Sequence, residues 1–239
     1  MPIDPAPHLA PHLSWHVEEM PIELRSPVLL AAFEGWNDAG EASSTAARYI
    51  RDHYEAVHVA TIDAEDFFDF TVARPSFCLD EDDVRQIVWP STSIYVARVP
   101  DADHDLVCAI GHEPQLRWRT FVDHIAHTAE AFDAAMVCTL GALLTDVPHT
   151  RPTQVYGGTE DARLAERLDL SPSTYEGPTG IVGVLAAGWV AVAWGFYRLE
   201  WGFLYDWFEA EAVERDEDPL DLLLGQAGTA VVDDQAHPF

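Results

Sequence analysis

An uninterrupted apolar run, Val28–Phe33, ends abruptly in the sequence Glu34-Gly-Trp-Asn-Asp-Ala-Gly. The run has the length of a buried strand, and the two glycines, the asparagine and the aspartate that follow it are typical of a tight turn. Residues 41–54 then have the apolar spacing of a helix. A buried strand, a tight turn and a helix in this order predict the first unit of a parallel sheet.

The rest of the chain continues this alternation. Further strands are predicted at 56–62, 105–110 and 136–144, a hairpin at 84–89 and 93–99, a long helix at 118–135, a short strand at 154–156, a short helix at 160–168 and a last helix after the glycine loop 175–181. Strands that alternate with helices in this way predict an α/β fold, built as a three-layer α/β/α sandwich.

Charge and cysteine usage exclude several classes of protein. The 239 residues include 41 acidic residues but only 13 basic ones, all of them arginine, which gives a net charge of −28. Phosphate contacts need lysine or arginine, so neither nucleic acid nor a membrane surface is expected as a partner. The three cysteines lack paired spacing, and no basic region followed by an apolar stretch marks a signal peptide. The expected location is therefore the cytoplasm.

The composition also predicts three parts. Residues 1–27 contain six prolines and are expected to form an extended arm, residues 28–208 an α/β domain, and residues 209–239 an acidic tail. The segment Ile181–Tyr197 has 17 residues without a charge. Arg198 follows at once and glycines interrupt the segment, so we expect a buried element or a subunit contact rather than a membrane span.

Four polar loops are predicted to follow strands, at 34–40, 111–114, 146–152 and 176–180. If the strands are parallel, these loops meet at one edge of the sheet, where ligands bind in α/β folds. The candidate residues for a ligand-binding or interaction site at this edge are Glu34, Asn37, Asp38, His112, Glu113, His149, Thr150, Arg151, Gly177 and Thr179. Histidine and arginine beside carboxylates can bind an anion or transfer protons.

Each of these residues also has a purely structural interpretation. Asp38 can cap the following helix, the glycines can serve only the turn, Trp36 can cover the edge of the core, and each histidine can be an ordinary loop residue. The loop 177–180 lacks the lysine of a phosphate-binding P-loop and the spacing of a dinucleotide fingerprint. His124 and His127 lack a third ligand at metal-binding spacing. No catalytic residue is assigned, and neither a cofactor nor a metal is predicted.

Several long stretches resemble the PAC2 family, the proteasome assembly chaperone 2-like proteins, in its actinobacterial branch. They are FEGWNDAGEASS (33–44), ATIDAEDFFDFTVARP (60–75), IVWP (87–90), GHEPQLRWRTF (111–121), TLGALLTDVPHTRP (139–152) and YEGPTGIVGVL (175–185). The resemblance extends over residues 28–185, while the tryptophan-rich segment 186–208 departs from the family pattern.

The resemblance implies a fold similar to the phosphorylase/hydrolase class and assembly into homo-oligomers, with trimers favoured. It also implies proteasome subunits as candidate partners and transfers no catalytic residue. The expected function is that of a non-enzymatic, proteasome-assembly-chaperone-like or interaction protein. The alternative is a phosphorylase- or hydrolase-type enzyme, or a small-ligand binder, that uses the polar edge.

Overall fold

A computed structural model describes residues 12–17, 23–80, 82–144, 150, 157–159, 165–166 and 175–193, with side chains as far as residue 187. The strands in these ranges are β1 (Leu13–Trp15), β2 (Val28–Glu34), β3 (Val57–Ile62), β4 (Ser76–Leu79), β5 (Arg85–Val88), β6 (Thr92–Ala97), β7 (Leu106–His112) and β8 (Met136–Leu140). The helices are α1 (Ala42–His53), α2 (Trp118–Ala131) and α3 (Ile181–Ala193), and a 3-10 turn, Ala39–Glu41, leads into α1.

Six of the strands form one mixed sheet, in the order β1-β3-β6-β7-β2-β8. Strand β2 runs parallel to both of its neighbours, β7 and β8. Strand β6 is antiparallel to β7 and to β3, and β1 is antiparallel to β3. The predicted α/β class is therefore confirmed, with a parallel part around β2 and an antiparallel part beyond β7.

Both faces of this sheet are covered by helices, which explains why β2 is apolar throughout. Leu29, Ala31 and Phe33 share a core cluster with residues of α2 and α3. Leu30 and Ala32 lie in a second cluster with residues of α1. A strand that is buried on both faces needs apolar side chains at every position. The result is the three-layer arrangement that the sequence predicts.

The predicted hairpin between 84–89 and 93–99 is wrong. Strand β5 pairs instead with β4, and the two form a separate two-stranded sheet. Strand β6 enters the main sheet between β3 and β7, where Ile94 and Val96 are fully buried. All eight residues of β4 and β5 are exposed. The hydrophobic free energy gained by burying β6 in the main sheet therefore explains why β6 does not pair with β5.

Two other predicted segments lie partly outside the described residues. Within the predicted arm 1–27, Leu13–Trp15 is the edge strand β1, while 1–11 and 18–22 are not described. The predicted strand at 154–156, nearly all of the helix at 160–168, and residues 194–239 with the acidic tail also lie outside them. Among the described helices, none has both the length and the apolar character needed to cross a membrane.

A buried aspartate fixes the amino end of β7. Asp105 accepts hydrogen bonds from the backbone N–H groups of Arg25 (2.7 Å) and Val99 (3.0 Å), and from the Arg25 guanidinium (2.8 Å). Burial opposes the ionisation of this carboxyl, but these hydrogen bonds and the arginine charge outweigh burial and hold the pKa of Asp105 below its ordinary value. The end of the sheet opposite the polar edge is thus closed by an ion pair.

Candidate functional site

The polar edge is formed where the parallel strands β2, β7 and β8 end. Glu34 and His112, the last residues of β2 and β7, lie directly opposite each other in the parallel register. Strand β8 ends at Leu140, and Ala142 then forms an isolated bridge with Asp38. The chain segments that follow β2, β7 and β8 are therefore neighbours at one edge of the sheet.

Glu34 is held between two nitrogen donors. The Nδ1 atom of His112 lies 2.8 Å from its Oε2 atom, and the guanidinium of Arg48, from α1, forms an ion pair with its other oxygen. Arg48 also donates to the Ser44 hydroxyl, one turn earlier in α1 (3.1 Å). These contacts connect the end of β2 to α1 on one face of the sheet.

The environment of His112 keeps its ring neutral near pH 7. Burial lowers the pKa of His112 below its ordinary value, and the charge of Arg48 lowers it further. A neutral ring whose Nδ1 faces the Glu34 carboxylate is assigned the proton on Nδ1. The Nε2 atom is then a proton acceptor, and the side chain is partly exposed. Among the described residues of this edge, His112 is thus a neutral group with a ring nitrogen that can accept a hydrogen bond.

Asp38 serves the amino end of α1. Its Oδ1 atom accepts hydrogen bonds from the backbone N–H groups of Ser43 (2.8 Å) and Ser44 (3.1 Å) and from the Ser43 hydroxyl (2.5 Å). The side chain is buried, and its Oδ2 atom has no hydrogen-bond partner in the part of the chain that the structure describes. The first turn of a helix has N–H groups without partners in the helix, and a carboxylate satisfies them. Asp38 therefore acts as a helix cap, one of its two expected roles.

The turn itself depends on its glycines and on the chain after β8. Gly35 and Gly40 have φ values of 139° and 63°, which other residues adopt only with strain. The Asn37 carbonyl accepts a hydrogen bond from Ala142 N–H (2.7 Å). Trp36, at the tip of the turn, is mostly exposed and does not cover the core. The turn is thus fixed by its backbone.

Glu113 joins the turn to α3 on the other face of the sheet. Its Oε1 atom accepts a hydrogen bond from the backbone N–H of Ile181 (2.8 Å), and its Oε2 atom accepts one from Trp36 N–H (3.3 Å). Its own N–H donates to the Glu34 carbonyl (2.7 Å). A carboxylate at a helix amino end is favoured by the helix dipole as well as by the hydrogen bond. Glu113 thus caps α3 as Asp38 caps α1.

Close packing at the start of α3 requires a glycine. A Cβ atom at Gly180 would lie 1.7 Å from the Oδ1 atom of Asn37 and 2.6 Å from Oε1 of Glu113. Neither distance is possible without moving these side chains. Gly180 therefore allows α3 to approach the turn after β2, and Asn37 takes part by packing against it.

The structure brings together only part of the predicted set. Glu34, Asn37, Asp38, His112 and Glu113 lie at the edge, as the preceding contacts show. Gly177 and Thr179 lie in the segment that leads into α3, where Tyr175 donates to the Pro178 carbonyl (2.9 Å). Thr150 is exposed. His149 and Arg151 lie outside the described residues.

Sequence reasoning missed Arg48 and did not single out Gly180. Arg48 is one of several polar residues on α1. It follows Ser44 by four residues, and this spacing, which places two side chains on the same side of a helix, is the one sequence pattern that indicates its direction toward the turn. Gly180 stands at the junction of a loop and a helix, where a glycine usually indicates only flexibility. Both roles depend on contacts between elements that are distant in the sequence.

The edge is chemically better suited to holding its own elements together than to binding a metal. Each of its three carboxylates already accepts hydrogen bonds or an ion pair from the protein. Over the described ranges, no group of three or more His, Cys, Asp or Glu side chains is placed to hold a metal ion. Among the described residues of this edge, the atoms without a hydrogen-bond partner include the buried oxygens Asn37 Oδ1 and Asp38 Oδ2, while the partly exposed side chain of His112 is open to an incoming molecule.

Comparison with known proteins gives the family. Residues 32–189 match the model of the PAC2 family, whereas no curated protein matches the chain significantly. Among solved structures, a PAC2 family protein from Streptomyces avermitilis is 46% identical, covering 70% of this chain and 71% of its own, with a TM-score of 0.67. A proteasome-assembly chaperone homologue from Mycobacterium tuberculosis is 36% identical, covering 84% and 90%, with a TM-score of 0.65.

A more distant structure has the same fold. The archaeal proteasome activator PbaB from Pyrococcus furiosus is 14% identical and has a TM-score of 0.55, with 93% of this chain and 91% of that one covered. At this identity the likeness concerns the fold alone. The family model covers well over half of the chain and agrees with the two nearer structures, and the chain therefore belongs to the PAC2 family.

Proposed function

We propose that this chain is a proteasome-assembly-chaperone-like protein that binds other protein subunits and does not catalyse a reaction. The observation that carries the proposal is the 36% identity to the Mycobacterium tuberculosis proteasome-assembly chaperone homologue, over 84% of this chain and 90% of that one. Identity at this level over nearly whole chains extends well beyond a shared fold. The proposed partners are proteasome subunits, the proposed location is the cytoplasm, and self-association, as a trimer, is part of the proposal.

The geometry of the polar edge supports this choice over catalysis. Glu34, Asp38 and Glu113 accept hydrogen bonds or ion pairs that fix α1, α3 and the turn. A carboxylate that acts as a general acid or base must be able to take or give a proton during the reaction. Losing these bonds would release two helix ends, so the carboxylates of this edge are better explained as structural groups.

The test is a direct binding measurement. The purified full-length chain is titrated with proteasome α subunits and, separately, β subunits from the same organism, under conditions in which these subunits assemble, and the complexes are sized by light scattering. We expect saturable binding to at least one subunit type before rings are complete. Absence of binding to both would refute the proposal. Denatured and refolded subunits provide a control for non-specific association.

A small-ligand or enzymatic function of phosphorylase or hydrolase type is the second candidate, and His112 is the observation that favours it. Its Nε2 atom is a free proton acceptor beside an oriented carboxylate. The test is the thermal shift of the wild type and the His112→Gln variant with a panel of nucleosides, phosphate and small amides. A shift that the variant loses would support this candidate, and unchanged melting temperatures across the panel would exclude these ligands.

A further inference from the structure

The two-stranded sheet of β4 and β5 has one mainly apolar face and one mixed face. Phe77 lies opposite Ile87 and Leu79 lies opposite Arg85, so these four side chains share one face. The other face has Ser76, Cys78, Gln86 and Val88. We call Phe77, Leu79 and Ile87 the hairpin apolar face, and each of them exposes more than half of its surface.

An exposed apolar face is unusual on such a small element. A two-stranded sheet is marginally stable in water unless its apolar face is packed against something. Here the tip is held by Asp80, which accepts hydrogen bonds from Val84 N–H (2.9 Å) and the Gln86 amide (2.9 Å). The base is held by the contact between the Phe70 and Trp89 rings, 4.9 Å apart. The hairpin is therefore held at both ends while its apolar face remains open.

The charge around this face indicates what kind of surface covers it. Residues 76–88, which form the hairpin, include four acidic residues and one arginine, a net charge of −3, and the four acids are consecutive between the two strands, at 80–83. The guanidinium of Arg85 lies over the Phe77 ring, 5.0 Å from its centroid, and so belongs to the face itself. A covering surface needs an apolar centre and a basic rim that meets the acidic tip.

A second copy of the chain fits these requirements poorly. A two-fold contact through this face would bring two acidic tips together, and in a three-fold ring the acidic tip would meet another surface of a molecule whose net charge is −28. The three apolar side chains also offer only on the order of 300 Å², against about 800 Å² per partner in a standard stable interface. The hairpin apolar face is large enough to form the centre of a transient interface in which charged groups surround the apolar contact.

We propose that the hairpin apolar face is a docking surface for a different protein, one with an apolar patch bordered by lysine and arginine. This inference rests on the proposed function, because it assigns the binding of proteasome subunits to a particular surface. The inference goes beyond the proposed function because it names the contact surface. The hairpin apolar face forms the centre of the interface, and the acidic tip forms part of its rim.

Two matched pairs of substitutions test the assignment. The Phe77→Thr/Ile87→Thr variant removes the apolar face, and Cys78→Thr/Val88→Thr makes the same type of change on the opposite face of the same strands. Threonine favours strands, so the hairpin itself is kept in both. A third variant, Asp82→Arg, reverses one charge at the tip. Affinity for purified proteasome α and β subunits is measured for the full-length proteins at low and at high salt.

We expect the apolar-face variant to bind at least about tenfold more weakly than the wild type, as at the centre of an interface, and the opposite-face variant to bind within about twofold of it. The Asp82→Arg variant is expected to bind more weakly at low salt and to depend less on salt. If the wild type binds and the apolar-face variant binds equally well, the docking surface is wrong and the proposed function stands. If the wild type binds neither subunit, both fail.

Two further readouts identify other occupants of the face. Light scattering measures the mass of the unbound proteins, and a smaller assembly for the apolar-face variant alone would assign the face to a second copy. Thermal unfolding measures stability, and a lower melting temperature for this variant than for its opposite-face control would assign the face to the protein's own chain. Either outcome would overturn docking of a different protein, for which both quantities should stay unchanged.

Discussion

Replacing His124 by leucine is expected to make the protein more stable, by an amount that increases as the pH falls. His124 lies in α2 with 1% of its surface exposed. Its ring is near the rings of Phe67 and His12, with centroids 5.6 and 5.4 Å away. In the described part of the protein, neither ring nitrogen has a hydrogen-bond partner. A buried polar atom without a partner typically costs about 1–3 kcal/mol.

Protonation of this ring is more unfavourable still. Burial, together with the nearby charges of His12, His127 and Arg117, lowers the pKa of His124 from 6.5 to about 4, against the opposing effect of Asp123. The unfolded chain therefore takes up this proton first, and the fold loses stability as the pH falls from above 6.5 toward 4. Each tenfold change in proton affinity corresponds to about 1.4 kcal/mol of free energy. Between pH 7.5 and pH 5 the free energy of unfolding therefore falls by about 2 kcal/mol because of this one histidine.

The assay is urea denaturation followed by tryptophan fluorescence, at one protein concentration and at several pH values from 7.5 to 5. At pH 7.5 His124→Leu should be about 1 kcal/mol more stable than the wild type, because the gain from removing unpaired nitrogens exceeds the misfit of leucine. At pH 5 the difference should reach about 3 kcal/mol. His53→Leu, which removes an exposed histidine from α1, controls for the loss of a histidine as such. A difference that stays constant with pH would refute the reasoning.

Three further substitutions are expected to lower the free energy of unfolding, measured in the same way. Gly180→Ala should cost about 1–3 kcal/mol, because its Cβ would collide with the Asn37 amide, whereas Gly158→Ala, whose Cβ would meet no described atom within 4 Å, should have little effect. Gly111→Ala should cost at least as much, since its Cβ would lie 2.3 Å from a backbone carbonyl. Asp105→Asn should cost about 2–3 kcal/mol at every pH from 7.5 to 5, because the lowered pKa of Asp105 keeps the wild-type carboxyl ionised over this range, and the cost should shrink only below the ordinary carboxyl pKa of 3.8. Equal stability of the Gly180 and Gly158 variants, or a cost at residue 105 that already shrinks between pH 7.5 and pH 5, would contradict these expectations.

The parts of the fold that could be predicted are those in which local pattern and burial agree. Val28–Glu34 is buried on both faces apart from its last residue. Its apolar run could therefore be interpreted directly as a buried strand. In the predicted helix 118–135, Phe121, Ile125 and Thr128 are fully buried along one side of α2, and Phe132 is buried just after its end. In both cases the spacing of apolar residues directly reflects which sides meet the core.

Strand pairing could not be predicted in the same way. Residues 85–88 have a strand pattern, but Pro90 suggested a turn into 92–97, and the true partner, Ser76–Leu79, is short and lies between a proline and an acidic cluster. Which strands pair depends on contacts across the whole sheet, which local propensity does not contain. Leu13–Trp15 was missed for a similar reason, since a three-residue edge strand in a proline-rich segment has no pattern of its own.

The candidate site was predictable as far as topology decides it. Glu34 and His112 end neighbouring strands, and the ends of parallel strands meet. The role of Arg48 depends on how α1 is rotated against the sheet, and that of Gly180 depends on how closely α3 approaches the turn. Both quantities are set by side-chain packing between elements, so the sequence contains no direct signal for them.

The two candidate functions make different demands on the polar edge. Asp38 and Glu113 hold the first turns of α1 and α3, which lie on opposite faces of the sheet. A ligand that engaged either carboxylate would have to replace those hydrogen bonds, at about 1–3 kcal/mol for each N–H group left without a partner. A partner that docks on the hairpin apolar face would leave all of them in place. A ligand that engages Asp38 or Glu113 should therefore change hydrogen exchange at the first turn of the helix which that carboxylate caps, whereas a docked protein should protect β4 and β5 and leave both turns unchanged.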